Sequence, residues 1–352
     1  MKNFTKISTQ GVLFASLVFI LLTFTLSPVS AQEDKSAAEL RKDLDNLNLT
    51  SSGKYYELSD MRSKTDLMLL EMERVNVSSD VKQFIFSVKE FLKNFENAYE
   101  KSAAGSPMDH KESIDDGVNM KKMASDMDHY KTWEGLKKYH QVPAIVDAAH
   151  SVGKRFLDAE GSYFEDLADL ENITPIKLDY LDSAIRSYDE AENIEAREDI
   201  KGIYKELNIE FNTDMENARI DKTDADVLLE KTDALKDSQN PLDLISAVIS
   251  STEAMLKYGN VEQTYADHNL NSERCSKQAD CSSKYYSTYI EAVDKGTYTA
   301  DASKELMSLI IKYMVIIAVI ILIIVYMFKR SYSKYKDDDE DSKLGGELGL
   351  QG

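Results

Sequence analysis

The sequence predicts an all-α protein: a helical-bundle ectodomain of antiparallel hairpins, in as many as two subdomains, followed by one C-terminal transmembrane helix. Three observations carry this. Apolar residues recur three and four positions apart through most of the chain, which is the period of a helix face. Glycine and proline are scarce, 14 and 5 in 352 residues, and no Asn-Gly or Asp-Gly pair separates alternating apolar runs, so strand hairpins are not signalled. Near the C-terminus an uncharged run, Tyr313–Phe328, stops at Lys329-Arg330.

Residues 1–31 read as a secretory signal peptide. Lys2 and Lys6 supply a positive start, 11–26 an apolar centre, and Val29-Ser30-Ala31 the small residues expected before a cut at Gln32.

Residues 32–104 read as an N-terminal helical hairpin region. Val81, Phe84, Val88, Phe91, Phe95 and Ala98 form one stripe, widened by Ile85, Leu92 and Tyr99. Leu58, Met61, Thr65, Met68, Met72 and Val75 form another, with Asn76-Val-Ser-Ser as the connection. The polar stretch 105–118 predicts a loop and a seam between subdomains, with Asp116-Gly117 as a turn.

Residues 119–299 form a second helical region. Thr174-Pro175 is a helix start, and Leu178, Leu181, Ile185 and Tyr188 a stripe that Ile200, Ile203 and Leu207 resume. Asn240-Pro241 starts a helix that Gly259 is expected to stop. That helix is apolar around much of its circumference and is expected to be the most buried. Tyr286, Tyr289 and Val293 form a last stripe, ended at Gly296. No repeat of fixed period is legible.

Residues 300–328 read as stalk and transmembrane helix. Counted back to Leu306, the run is about 23 residues, enough for ~30 Å of hydrocarbon. Lys312 can snorkel to the interface, Tyr313 and Tyr326 suit the interfacial zones, and Lys329, Arg330, Lys334 and Lys336 mark the cytoplasmic side. Nothing between Asp301 and Glu305 breaks a helix, so the last ectodomain helix is expected to enter the span directly. The tail, 329–352, with its Asp337–Asp341 charge run, reads as disordered. The expectation is a type I single-pass protein of the cell membrane, ectodomain outside.

Formal net charge is −20, which disfavours nucleic acid as a partner. The two cysteines, Cys275 and Cys281, are expected to pair, as suits an exported chain. Asn48, Asn76 and Asn172 each begin an Asn-x-Ser/Thr triplet and are candidate glycosylation sites.

Two patterns suggest metal. Met123 and Met127 with His129 offer thioether and imidazole ligands of the kind Cu(I) takes, although their spacing is also that of a core stripe. Asp126-x-x-His129 and Asp147-x-x-His150 place carboxylate and imidazole at i, i+3, as helical di-iron sites do, with Asp where those sites use Glu. No catalytic signature and no phosphate-binding glycine loop is present, so no catalytic residue and no cofactor is expected. The sequence therefore points to a structural or partner-binding surface module, whose partner is another surface or membrane protein. The alternative is an extracytoplasmic metal-handling or sensing ectodomain.

Overall fold

A computed structural model describes residues 35–72 and 77–347. The signal-peptide segment and Asn76 lie outside the described residues. Among those described, all regular structure is helical and no strand occurs. The chain divides into two compact units, Met1–Tyr163 with Ser183–Arg197, and Phe164–Asp182 with Glu198–Gly352.

In the first unit the helices are α1 (Ala37–Asp45), α2 (Tyr56–Met72), α3 (Ser79–Ala104), α4 (Pro107–Met127) and most of α5 (Gln141–Leu170), joined by the C-terminal half of α6 (Thr174–Ala191). Local chemistry sets the ends. Ser36 and Glu39 form a reciprocal capping box on α1. The Ser78 side chain accepts from Val81 N to cap α3. Gly105 closes α3 at φ 87°, a left-handed conformation that glycine adopts without strain.

The predicted stripe of α3 is buried along its whole length, from Val81 to Ala98, and so are Leu58, Met61, Thr65, Met68 and Met72 of α2. Each fully buried phenylalanine contributes about 2–3 kcal/mol of transfer free energy. Phe95 meets Phe156 of α5 edge-on, with centroids 5.4 Å apart. Side-chain pairs set the directions. Lys101 of α3 reaches Asp116 of α4 at 2.7 Å, and Asn94, earlier on α3, reaches the sulfur of Met123, later on α4, at 3.5 Å, so α4 runs back along α3. Arg155 pairs with Glu57, and Gln141 donates to Glu71 at 2.9 Å, so α5 runs against α2.

The expected loop and seam at 105–118 is instead the turn Gly105-Ser106 and the first half of α4. Ser106 accepts from Asp109 N at 3.1 Å, and Pro107 occupies the first turn. The segment reads as a loop because the face it buries is made of His110, Ser113, Ile114 and Gly117. Gly117 is mid-helix rather than a turn. A Cβ there would stand 2.7 Å from Leu157 Cδ2, so the absent side chain lets α4 lie close to α5. The division between the units falls within α5, α6 and α7, not at this segment.

The second unit contains α7 (Ile194–Leu235) from Glu198 onward, α8 (Pro241–Asp267), α9 (Glu273–Lys277) and α10 (Ser287–Glu347). Burial here recurs every seven residues: Phe211, Ala218, Ala225 and Thr232 in α7; Leu244, Ser251, Tyr258 and Tyr265, with Ala247, Ala254 and Val261, in α8; Ala292, Thr299 and Leu306 in α10. Seven-residue spacing is that of a coiled-coil seam, and its small residues let the backbones approach closely. Tyr258 of α8 donates to Asp226 of α7 at 2.6 Å, and His268, at the far end of α8, lies 3.2 Å from Asp214, earlier on α7, so α8 runs against α7. Lys222 to Glu291 and Asp226 to Lys295 set α10 alongside α7 in the same direction.

Neither expected glycine stop is used. Helix α8 continues through Gly259 to Asp267, and α10 continues through Gly296. A glycine inside a helix costs only about 1 kcal/mol, which packing overrides. At Gly296 a Cβ would stand 3.2 Å from Tyr258 Cβ, so this glycine serves close approach. Nor is α8 buried all round: Leu242, Ile245, Ile249 and Leu256 are exposed. The helix expected to run through 301–305 does so, and it extends to Glu347, so the segment from Lys329 is helical where disorder was expected.

Two glycines test this packing in opposite directions. Gly117→Val should lower unfolding free energy by about 1–3 kcal/mol through overpacking against Leu157. Gly202→Ala, with open space around it on α7, should raise it by up to about 1 kcal/mol. Urea denaturation followed by circular dichroism measures both; equal effects would refute the close approach of α4 and α5.

Candidate functional site

The metal-ligand candidates separate. Met127 is buried in the first unit's core, and Met123 packs against that core with its sulfur 3.5 Å from Asn94 Nδ2. His129 turns back on its own helix end, Nδ1 at 2.5 Å from the Asp126 carbonyl, with its ring beside Tyr130 and Trp133. Asp147 and His150 do come together, but through two residues that spacing alone did not select. His150 Nε2 lies 3.1 Å from Asp128 Oδ2, and Lys131 Nζ bridges Asp128 at 2.9 Å and Asp147 at 2.7 Å. The Lys131 ammonium, followed by the hydrogen bond to His150, holds the Asp128 carboxyl below the usual carboxylate range despite the opposing effect of burial. An ammonium thus occupies the place between two carboxylates that a metal cation would need. Among the described residues no group of three His, Cys, Asp or Glu is arranged to hold a metal.

The cysteines meet as expected. Cys275 and Cys281 form a disulfide with Cα atoms 5.2 Å apart, both buried against Phe211 and Leu270 in the second unit's core. It closes the short turn between α9 and the π-helical turn Ser282–Tyr286 that feeds α10. Asn48 and Asn172 are both exposed. The hydroxyl residue of each triplet is held by a buried partner.

Those partners are polar groups that pattern reading missed. Glu96, buried on α3, accepts from the N–H and hydroxyl groups of both Thr50 and Ser51, pinning the 3₁₀ turn Thr50–Gly53. His268, at the end of α8, places Nδ1 3.0 Å from Thr174 Oγ1 and Nε2 3.2 Å from Asp214 Oδ2. Acid, imidazole and hydroxyl stand in the order of a catalytic relay. Here, however, the Thr174 hydroxyl is buried and its own backbone N–H donates to the His268 carbonyl at 3.3 Å, so the arrangement ties two chain turns together. A third cluster joins His110 Nδ1 to Glu160 at 2.7 Å and Ser102 to the other oxygen of Glu160 at 2.7 Å, with the imidazole stacked on Tyr163 at 3.5 Å. The one signal available in sequence was polarity at positions that helical spacing turns inward.

A charged ladder runs along the second unit. Burial raises the pKa of Asp226, but hydrogen bonds from Lys295, Tyr258 and Lys222 outweigh it and hold the carboxyl below its usual range. The bond from Lys295 does the same for Glu291, and that from Lys257 for Asp221. Reciprocally, Asp226 raises Lys295 and Asp221 raises Lys257.

The candidate membrane anchor is distinct from all of these. Among the described residues α10 is the helix long and apolar enough to cross a membrane. Leu306 is its last buried residue, and every residue from Ile311 to Tyr332 is exposed, including the predicted anchor positions Tyr313, Phe328, Lys329 and Arg330. No protein-family model matches the chain, and no significant match was found to a curated protein or to a solved structure.

Two predictions follow from the buried polar groups and the ladder. Glu96→Ala should cost about 2–3 kcal/mol by stranding four donors, and Glu96→Gln less, because one acceptor oxygen remains; equal losses in chemical denaturation would exclude the clamp. The lowered carboxylates add stability above their ordinary range that disappears as pH falls through their folded values. The raised lysines add stability below their ordinary range that disappears as pH rises through theirs. Melting temperature of the second unit should therefore fall at both extremes, less steeply in high salt. A profile unchanged by Asp226→Asn would contradict this account.

Proposed function

We propose that the chain is a single-pass cell-surface protein whose all-helical ectodomain, built as two helical bundles, serves as a structural or partner-binding module. One observation carries the reading: a single helix, α10, supplies Ala292, Thr299 and Leu306 to the second unit's core and then continues as an exposed surface that is apolar through Phe328 save for Ser308 and Lys312. At 1.5 Å per residue the twenty residues from Leu309 to Phe328 span about 30 Å, a bilayer's hydrocarbon thickness. An apolar surface of that size facing water would be strongly unfavourable, and lipid is the solvent that removes the penalty. Lys329 and Arg330 then face the cytoplasm, and the disulfide between Cys275 and Cys281 falls outside, where thiols oxidise.

The partner-binding reading is supported by what the polar clusters do. Each holds a turn or a helix end inside the fold, and the chain around them is acidic, with a formal net charge of −20. On this reading the partner is another surface or membrane protein, met outside the cell.

The full chain should remain in the membrane fraction through alkaline carbonate extraction. The double substitution Ile317→Asp and Ile321→Asp should release it, because charge at the centre of a span costs several kcal/mol. Retention of the double variant, or release of the parent, would reject the anchor. Protease added to intact cells should remove the ectodomain and leave the tail.

A further inference from the structure

The exposed apolar residues of α8 gather toward its N-terminal end. Leu242, Ile245 and Ile249 are 72%, 45% and 61% exposed, and Asp243 is the one charged residue from 241 to 252. Beyond Leu256 the exposed positions of α8 are Gly259, Asn260, Glu262, Gln263 and Asp267, so the other end presents polar groups. A partner helix lying along α8 would call for apolar surface over its whole length. Apolar surface that gives way to polar partway along one helix marks a change of solvent.

The register with α10 places that change. Gly296 stands against Tyr258, and Thr252 Oγ1 lies 3.4 Å from Ser303 Oγ. Each step back along α8 is therefore close to one step forward along α10. Continued in this way, Ile249 comes level with Leu306, Ile245 with Ile310 and Leu242 with Tyr313. The packing agrees, because Leu244 shares a cluster with Leu306 and Ile310. At the same height α10 exposes apolar residues of its own, Met307, Leu309 and Ile311. Leu242 then lies about 6 Å past Leu309, the depth at which the apolar side of an interfacial helix rests. By the same count Leu256 is level with Thr299, about 15 Å short of Leu309, and a single exposed leucine in water is ordinary.

The polar groups at this end are already bonded. Asn240 Oδ1 accepts from Leu242 N at 3.1 Å, and Ser238 Oγ accepts from Asn240 N at 3.1 Å. The Ser238 hydroxyl donates to Asp243 Oδ2 at 2.7 Å, and exposed Thr252 returns its hydroxyl to the Val248 carbonyl at 2.8 Å. Groups that carry their partners with them can enter a zone poor in water. Asp243 falls level with Lys312, so the charges of both helices stand at one height, within reach of the headgroups.

We propose that the N-terminal end of α8 is a foot in the outer leaflet. Leu242 and Ile245 enter between phospholipids beside α10, and Ile249 lies at headgroup height. The proposal rests on the single-pass reading and deepens it: a second helix end in the lipid resists tilting of the second unit on the membrane.

The test uses the full chain in phosphatidylcholine–phosphatidylglycerol vesicles. The native cysteines are paired, so Leu242→Cys, Leu256→Cys and Ile320→Cys each introduce one thiol for a nitroxide label. Collisions with oxygen, which concentrates in lipid, are compared with collisions with a water-soluble nickel chelate. Label at Leu242→Cys should favour oxygen, at a depth between Leu256→Cys, which should favour nickel, and Ile320→Cys at the centre of the span. Circular dichroism melting of labelled Leu242→Cys should match the parent, because that side chain is outside the core. Nickel access at Leu242→Cys equal to that at Leu256→Cys would overturn the foot. So would shielding from both reagents, which is the signature of a second copy or another protein covering the face. Ile320→Cys separates the two readings: label there in lipid with Leu242→Cys in water rejects the foot alone, and label there open to nickel rejects the anchor and the foot with it.

Discussion

On the proposed single-pass reading, helix α10 satisfies two environments along one axis, and the second unit is arranged around that constraint. Up to Leu306 it needs a narrow inward stripe, which Ala292, Thr299 and Leu306 supply at seven-residue spacing. Beyond Leu306 it presents exposed apolar residues on every side, as the proposed span requires. No break separates the two regimes. A helix that continues through the change keeps its backbone hydrogen bonds satisfied in both, whereas a linker at that height would bring unpaired peptide groups to the edge of the hydrocarbon. The disulfide and the π-helical turn at Ser282–Tyr286 fix where this helix starts, so its course is determined from its first turn.

The seam with α7 and α8 explains an inversion of the usual pattern. Alanine, serine and threonine are inside, at Ala218, Ala225, Thr232, Ala247, Ser251, Ala254 and Thr299, while Leu242, Ile245, Ile249 and Leu256 of α8 are outside. Small residues permit close backbone packing, and Tyr258 then fits beside Gly296. Hydroxyl groups at the seam return their bonds to their own helices, as Thr232 does to the Leu228 carbonyl and Thr299 to the Lys295 carbonyl, so they are buried without unmet polar demand. The large apolar side chains left outside form the exposed stripe of α8.

The first unit is held differently, by large apolar stripes with a few buried charges at its turns. Glu96, Glu160 and His110 are each surrounded by donors or acceptors, which limits the cost of burying them. Their contribution is definition: each fixes one turn or one helix-to-helix height where apolar packing would allow several. His268 does the same at the end of α8 in the second unit. These are the groups that a search for chemistry would select first, and their surroundings assign them to holding the fold.

The sequence by itself determined the helical class, the stripes of α2 and α3, the disulfide, and the long apolar helix that continues from the preceding one, because each follows from local period, composition or proximity along the chain. Only the tertiary structure decided the rest. The segment 105–118 reads as polar loop until α5 is placed against it, when Gly117 and Ser113 become contact residues. Seven-residue burial in α7 is faint in the sequence because, after Phe211, its positions are Ala218, Ala225 and Thr232, which carry little hydrophobic signal. The apolar circumference of α8 gave no indication of which side faced α7 and α10. Asp128 and Lys131 joined Asp147 and His150 only through the approach of distant turns. In each case the deciding quantity is which neighbour arrives at a given face, and that is a property of the packed chain.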